Sequence, residues 1–198
     1  MKFSMAVPTS TLIGVHPDNP FLVCVIEQAK KHRKRMTLVG GRLRLPRQTH
    51  LTCLVDEFDE EAGGAGATLT DIRLWAIKTD PYSDVREVTL GKLTHETCDS
   101  FLSGVPVIGH YGAPDHIYLA KVIGTPFPKD GEAKECKFFD VRDLSCTNNE
   151  EESCFGAQHD LILIVYRLFL EGRPVEIDDF TDFQKLRAKL LAILEQES

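Results

Sequence analysis

The residues of this sequence most able to do chemistry form a dense acidic run. Five of the six residues from Asp56 to Glu61 carry a carboxylate. On an α-helix, Glu60 and Glu61 fall within about 60° of Glu57, so these three side chains share one face. Like charges at this spacing destabilise a helix, and the helix dipole disfavours anions in its C-terminal half. A hard divalent cation such as Mg²⁺ reverses this balance, because it takes oxygen ligands and shares them with a substrate phosphate. The alternative interpretation is a solvated acidic face.

The helix that carries the acidic run is predicted over residues 49–62. Its apolar residues recur at helical spacing and mark one face of the helix: Leu51, Leu54, Val55 and Phe58. Gly63 and Gly64 end the helix. Because these glycines follow the helix, they are a stop signal and not a phosphate-cradling loop, which precedes its helix.

The rest of the pattern predicts one α/β domain over residues 1–198, with a mixed sheet and flanking helices. Two C-terminal helices, at residues 155–170 and 178–194, are expected to pack on the sheet as the segment 155–195. A long connection at residues 94–115 has a length that is often functional. The basic cluster at residues 30–35 is most simply a hairpin loop, with phosphate steering as the alternative. Strands are predicted at residues 10–15, 21–27, 36–39, 71–78, 87–93, 117–123 and 136–141.

Composition narrows the class of protein and partner. The net charge of −7 argues against nucleic acid, because duplex binding relies on Lys and Arg contacts to phosphates. No apolar stretch is long enough to span a bilayer and the N-terminus does not resemble a signal peptide, which predicts a soluble protein without membrane contact. The six cysteines are scattered without a CxxC pair, which favours a reducing cytoplasm and disfavours a structural zinc site.

A family resemblance joins these observations. Gly40-Gly41, a loop, and then Asp56-Glu57-Phe58-Asp59-Glu60-Glu61-Ala62-Gly63 resemble the Nudix box, G-x5-E-x7-R-E-U-x-E-E-x-G-U, where U is a bulky apolar residue. Residues 134–141 are similar to a late strand of that family, and residues 155–160 to the start of its closing helix. The resemblance implies a Nudix-type α/β/α sandwich with a mixed sheet. It also implies hydrolysis of the pyrophosphate bond in a nucleoside diphosphate linked to another moiety.

The resemblance also assigns roles to particular residues. The general base varies within the family and is often a glutamate on a late loop, so Glu132 and Glu135 are the candidates here. Either could equally be a surface charge, which is the default for glutamate. The expected ligands of Mg²⁺ or Mn²⁺ are three glutamates of the helix and one backbone carbonyl: Glu57, Glu60, Glu61 and Gly41.

Three positions depart from the family pattern. Counted back from Gly63, the family's Arg falls on Asp56 and its upstream Glu on Gln48. Its first Gly falls on Arg42, so Gly41 lies one residue too far away and the loop is expected to carry an insertion. In the family that Arg braces the metal-binding glutamates and that Glu steadies the loop. Both supports are therefore expected to be lost, unless a loop arginine folds back on Asp56: Arg42, Arg44 or Arg47.

The substrate class follows from a second resemblance. Residues 80–86, Asp-Pro-Tyr-Ser-Asp-Val-Arg, resemble the DPxRDxR segment of Nudix enzymes that cleave ADP-ribose and related sugars, with Ser83 in place of the first Arg. Arg86 is the expected bidentate partner of a phosphate, with Arg42 as a further substrate contact. Tyr111 lies in an aromatic, His-rich loop that could stack on a base, and a rigid surface turn is the alternative. The expected ligand is a small nucleotide, either ADP-ribose or a nucleotide sugar.

Other functions stay open at this stage. The departures at Asp56 and Gln48 favour a catalytically weak, Nudix-like module that binds nucleotides or regulates another process. The acidic run by itself also fits an acidic scaffold protein. A homodimer through residues 161–170 or the last helix is open as well, although core packing explains the same apolar residues.

Overall fold

The computed structural model of the chain describes residues 2–6, 8–28, 35–44, 48–80, 85–89, 113–129, 131, 133–144, 153–156, 159–173, 175 and 183–195. The strands are β1 Lys2–Ala6, β2 Thr9–His16, β3 Asn19–Gln28, β4 Met36–Arg42, β5 Thr68–Asp80, β6 Val85–Thr89, β7 Ala113–Ile123 and β8 Ala133–Asp140. The helices are α1 His50–Glu61, α2 His159–Leu170 and α3 Phe183–Glu195, with a short 3₁₀ helix at Val141–Asp143.

Six strands form one mixed sheet in the order β5-β7-β2-β4-β3-β8. β2 and β7 run parallel, whereas the other neighbouring pairs are antiparallel. β1 and β6 form a separate two-stranded antiparallel sheet. The predicted α/β class with a mixed sheet is confirmed. Its centre is the β2–β4 pair, so the glycines at the end of β4 lie in the middle of the sheet and not at its edge.

The helix α1 covers one face of the sheet. Successive strand residues point to opposite faces, so every second strand residue contributes to each core layer. On the α1 face, small and branched side chains of the strands pack against Leu54, Phe58 and Ala62 at the helix. The strand residues of this layer include Leu12, Cys24, Ile26, Val39, Ala120 and Val122.

The opposite face of the sheet is covered by α2 and α3. Nearly the whole of α2 is buried, from Leu161 to Tyr166 and again at Leu168. The hydroxyl of Tyr166 donates a hydrogen bond to the Pro20 carbonyl at 3.0 Å, and its ring meets Trp75 edge-on at 5.9 Å between centroids. The sequence left a dimer contact through residues 161–170 open. Most of these residues are instead buried against the sheet of the same chain.

The predicted elements are found with shifted boundaries. The connection predicted over residues 94–115 is wrong at its end, because residues 113–115 already belong to β7 and pair with β5. The helix predicted from residue 155 begins at His159 instead. Phe155 forms a β-bridge with Met36. The Met36 amide donates to the Cys154 carbonyl and the Gly156 amide donates to the Met36 carbonyl, so this segment is extended before the helix starts. β1 has no counterpart in the sequence prediction, and residues 90–93 of the predicted fifth strand lie outside the described residues.

Two further features are the length of the helices and the state of the cysteines. None of the described helices is long and apolar enough to cross a bilayer. The cysteines within the described residues are free thiols: Cys24, Cys53, Cys136 and Cys154.

One buried ion pair joins the two helices of the second layer. Arg187 of α3 donates to Asp160 of α2 at 2.7 Å, with 7% and 1% of the side chains exposed. Replacing Arg187 by Leu leaves the Asp160 carboxylate buried without its cation, and we expect the free energy of unfolding to fall by about 3–5 kcal/mol. Urea denaturation measures the change. The exposed pair Lys134–Glu27 is the control, since Lys134→Gln should cost less than about 1 kcal/mol. A similar small loss in both variants would contradict the prediction.

Candidate active site

The acidic helix is fixed at both ends by hydrogen bonds. Thr49 caps its N-terminus: the Thr49 hydroxyl accepts from the Thr52 amide, and the Thr52 hydroxyl accepts from the Thr49 amide. At the other end the Phe127 amide donates to the Ala62 carbonyl, and the Gly64 amide donates back to the Phe127 carbonyl, both at 2.8 Å. These bonds set the register of α1 along the sheet and therefore the position of every carboxylate.

The side chain of Glu57 lies directly on the backbone of Gly41. A Cβ added to Gly41 would overlap all three atoms of the Glu57 carboxylate. The preceding residue, Gly40, is equally constrained, because a Cβ there would overlap the carbonyl oxygen of Ser10. Gly40 is therefore required by the backbone of the neighbouring strand, whereas a side chain at position 41 would displace the flexible end of Glu57.

The other two glutamates of the predicted triad have different partners. Glu61 is buried, with 5% of its surface exposed, and its Oε2 accepts from the Gly40 amide at 3.2 Å. Glu60 is more exposed and lies 3.4 Å from the Arg44 guanidinium. Glu57 and Glu61 thus converge on the end of β4, whereas Glu60 points toward the loop that follows it.

The two departures from the family pattern are bonded to each other. The Gln48 amide nitrogen donates to Asp56 at 2.7 Å, and the Gln48 carbonyl oxygen accepts from the Arg44 amide at 2.7 Å. Gln48 thereby links the loop to the helix. The expected loss of both supports is corrected here, because a neutral amide and a carboxylate connect these two positions. Arg44 reaches Glu60 and not Asp56, and Arg47 lies outside the described residues.

A histidine pair lies next to this arrangement. Nδ1 of His50, at the start of α1, is 3.0 Å from the Thr9 carbonyl and 3.1 Å from the Ser10 hydroxyl. Its ring stacks on His116 of β7 at 3.5 Å between centroids. Burial lowers the pKa of His50 below its ordinary value, and the neighbouring His116 lowers it further. The sequence pattern did not indicate this pair, because the two histidines are far apart along the chain.

Cys53 is the remaining reactive side chain beside Gly41. Its thiol is buried and lies 3.8 Å from the Gly41 carbonyl oxygen. Burial raises its pKa to about 12, with Glu57 and Asp56 contributing in the same direction. A raised pKa of this size keeps the Cys53 thiol protonated at physiological pH, which disfavours a role as nucleophile.

The other predicted site residues that the structure describes lie on β4, β6 and β8. Glu135 lies on β8 beside Lys137, on the sheet face opposite α1, because its neighbours Cys136 and Phe138 pack toward α1. Arg42 ends β4 and is exposed, and Arg86 lies in β6, opposite Met5 of β1. Tyr111 and Glu132 lie outside the described residues.

The oxygen donors at the end of β4 suit a hard cation, although the described side chains do not form a complete set of ligands. Within the described ranges, no three His, Cys, Asp or Glu side chains are grouped closely enough to hold a metal ion. Two carboxylates converge on the Gly40-Gly41 backbone: Glu61 accepts from the Gly40 amide, and Glu57 lies where a Cβ of residue 41 would be. Oxygen donors of this kind are the ligands that Mg²⁺ and Mn²⁺ take.

Solved structures share this architecture. A NUDIX hydrolase from Nitrosomonas europaea superposes with a TM-score of 0.57 at 17% identity, covering 88% of this chain and 78% of that chain. The NUDIX domain of Shewanella oneidensis NrtR, solved in complex with ADP ribose, has a TM-score of 0.57 at 10% identity and covers 85% and 90%. A MutT/nudix family protein from Enterococcus faecalis has a TM-score of 0.52 at 13% identity and covers 94% and 67%. The chain has the Nudix hydrolase fold.

The likeness of this Nudix fold to known proteins is structural. No family model matches the sequence. No curated protein matches it either. At identities of 10 to 17%, the structural neighbours establish the fold alone.

The contact between Gly41 and Glu57 is testable by one added methyl group. Gly41→Ala places a Cβ inside the Glu57 carboxylate, so either the side chain or α1 must move. Because the displaced atoms are the flexible end of Glu57, we expect a loss of stability of about 1 kcal/mol, at the low end of the cost of forcing extra volume into a packed contact, and thermal denaturation measures the loss. Gly156→Ala is the matched control, because its Cβ would meet Thr37 at an ordinary 3.5 Å. Equal melting temperatures for the two variants would contradict the packing described here.

The lowered pKa of His50 predicts a pH dependence of stability. The unfolded chain binds a proton at His50 near pH 6.5, whereas the folded chain does so only at lower pH. The unfolded state therefore gains protons first, and the free energy of unfolding should fall as the pH drops from 7.5 through 6.5. Urea denaturation at several pH values should show a smaller fall in His50→Gln than in the unaltered protein. Parallel curves for the two proteins would contradict this assignment.

Proposed function

We propose that this protein hydrolyses the pyrophosphate bond of a nucleoside diphosphate linked to another moiety, with ADP-ribose or a nucleotide sugar as substrate. The observation that carries the proposal is the close contact of Glu57 with Gly41, combined with the hydrogen bond from Gly40 to Glu61. Two carboxylates are held against a glycine backbone in the middle of a Nudix fold. A solvated acidic face requires neither the contact at Gly41 nor the hydrogen bond from Gly40 to Glu61.

The substrate class rests on two supports. One is the similarity of residues 80–86 to the segment found in Nudix enzymes that cleave ADP-ribose. The other is the NrtR NUDIX domain, which shares this fold and was solved with ADP ribose bound. Arg42 is exposed at the end of β4, directly after Gly41, where its guanidinium can contact a phosphate. Arg86 and Tyr111 complete the proposed contacts to phosphate and base.

In this proposal Mg²⁺ or Mn²⁺ is held by Glu57, Glu60, Glu61 and the Gly41 carbonyl. When bound, such a cation neutralises the pyrophosphate and lowers the pKa of a ligated water. The protein holds two of the carboxylates in place already. Glu60 would leave Arg44 to join them, and that exposed ion pair is worth no more than about 1 kcal/mol. Arg44 would then be free to pair with substrate phosphate.

The reaction adds water across one P–O bond of the pyrophosphate. The water oxygen bonds to phosphorus, the bridging oxygen leaves with its electron pair, and two phosphomonoesters result. ADP-ribose yields AMP and ribose 5-phosphate. Glu135 has no part in this proposal, because it faces away from α1. Glu132 remains the sequence candidate for the base that accepts the water proton.

Matched carboxylate variants on α1 test the assignment. We expect Glu57→Gln and Glu60→Gln to lower kcat for ADP-ribose with Mg²⁺ on the order of 100-fold or more, since each removes a proposed direct ligand. Asp59→Asn is the control on the same helix. Its side chain is 58% exposed and paired with Lys129, so turnover should stay within a few-fold. Released AMP is the measurement. An unchanged rate in Glu60→Gln would remove the helix from the mechanism.

A second candidate is a Nudix-like module that binds the nucleotide without turning it over. Two observations favour it: Glu60 is engaged by Arg44, and the described residues contain no closed group of three metal-ligating side chains. Calorimetry separates the two candidates. Tight ADP-ribose binding with no AMP released over hours would support the binding module, whereas rapid AMP release would dismiss it.

A further inference from the structure

A cavity of about 400 Å³ lies between the sheet and α2, on the face opposite the acidic helix. Its wall on the helix side is aromatic and aliphatic, and its floor is formed by the strands β2 and β7. Trp75 packs edge-on against two of the aromatic residues, with ring centroids 5.9 and 6.4 Å away. Three charged residues, Asp71, Arg73 and Lys121, also line the cavity. The apolar lining includes Val15, Leu119, Tyr166, Phe169 and Leu170.

A β-bulge in β5 directs a cation to this cavity. Thr70 pairs with Lys121 and Arg73 pairs with Leu119, so two residues of β5 oppose one residue of β7. The extra residue reverses the alternation and places Arg73 on the α2 face with Leu119. Asp71, inside the bulge, has a φ of 54°, the only positive φ of a non-glycine residue in the described part of the chain. A left-handed conformation of this kind costs about 1 kcal/mol or more and is concentrated at functional positions.

The charges of the bulge leave the Arg73 guanidinium without a close ion pair among the described residues. Lys121 pairs with Asp71 at 2.7 Å, and Arg73 acts on the same carboxylate only at longer range, where its charge helps to lower the pKa of Asp71. No described residue offers Arg73 a hydrogen bond or an ion pair within bonding distance. Arg73 is close enough to Tyr166 for its charge to oppose the effect of burial, which raises the pKa of that phenol to about 12. Arg73 is thus an exposed cation beside an apolar cavity, and its donors are not hydrogen-bonded within the described part of the chain.

We propose that this cavity binds a small amphiphilic monoanion, a carboxylate with an aliphatic chain or single ring as its body. The apolar body would lie between Leu119 and Phe169, and the carboxylate would take a bidentate hydrogen-bond pair from Arg73. The volume lies within the range of small-molecule pockets, about 300–1,000 Å³. This site is separate from the carboxylates of α1, because the sheet lies between them.

Octanoate and 1-octanol form a matched pair of probes, with the same chain and different head groups. Trp75 is the only tryptophan of the protein and packs against the cavity wall, so its fluorescence emission reports binding. We expect octanoate to change the emission saturably, with a Kd at least about tenfold lower than that of 1-octanol. Arg73→Gln should remove this preference by weakening octanoate alone. Lys137→Gln, at an exposed pair on β8, should leave both affinities unchanged.

A second variant separates the apolar part of the site from its charge. Phe169 is 48% exposed, so Phe169→Ser should fold, and it should weaken both probes while keeping the preference for octanoate. Equal affinities of the two probes for the unaltered protein would overturn the proposal, as would an unchanged octanoate affinity in Arg73→Gln. Sedimentation showing a dimer that dissociates in Phe169→Ser would also overturn it, because a second copy would then cover the cavity.

Discussion

The Glu57 carboxylate occupies the place where a Cβ of residue 41 would lie, and the rest of the acidic site depends on this close approach of α1 to β4. It brings α1 close enough to β4 for Glu61 to accept from the Gly40 amide. The same closeness buries Cys53 beside the Gly41 carbonyl and keeps its thiol protonated. A helix held one side chain further away would make none of these bonds. The missing side chain at Gly41 thus leaves room for a carboxylate over the centre of the sheet.

Side chains of the same chain partner three of the crowded carboxylates of α1. Asp56 accepts from Gln48, Asp59 pairs with Lys129, and Glu60 pairs with Arg44. The acidic run is therefore tolerable without a cation, and crowding alone is weak support for a metal. The stronger support is steric. A solvated acidic face would leave space for a side chain at position 41. Here the Glu57 carboxylate occupies that space.

The mixed sheet divides the molecule into two chemical environments. On one side, oxygen donors and histidines surround the end of β4. On the other, an apolar cavity is lined by the guanidinium of Arg73, which the bulge in β5 directs there and which no described residue hydrogen-bonds. The α1 face is fixed by hydrogen bonds at both ends of the helix. The α2 face is fixed by a buried core and by the Asp160–Arg187 ion pair.

The sequence by itself determined the α/β class, the acidic helix and most strands, because period and turn residues are local properties of the chain. It also singled out Gly41 and the three glutamates through the family pattern. Only the tertiary structure decided that Glu61 and Glu57 converge while Glu60 turns to Arg44, and that Glu135 faces away. It alone bonded Gln48 to Asp56 and stacked His50 on His116. Those contacts depend on strand order and register, which bring together residues that no local spacing relates.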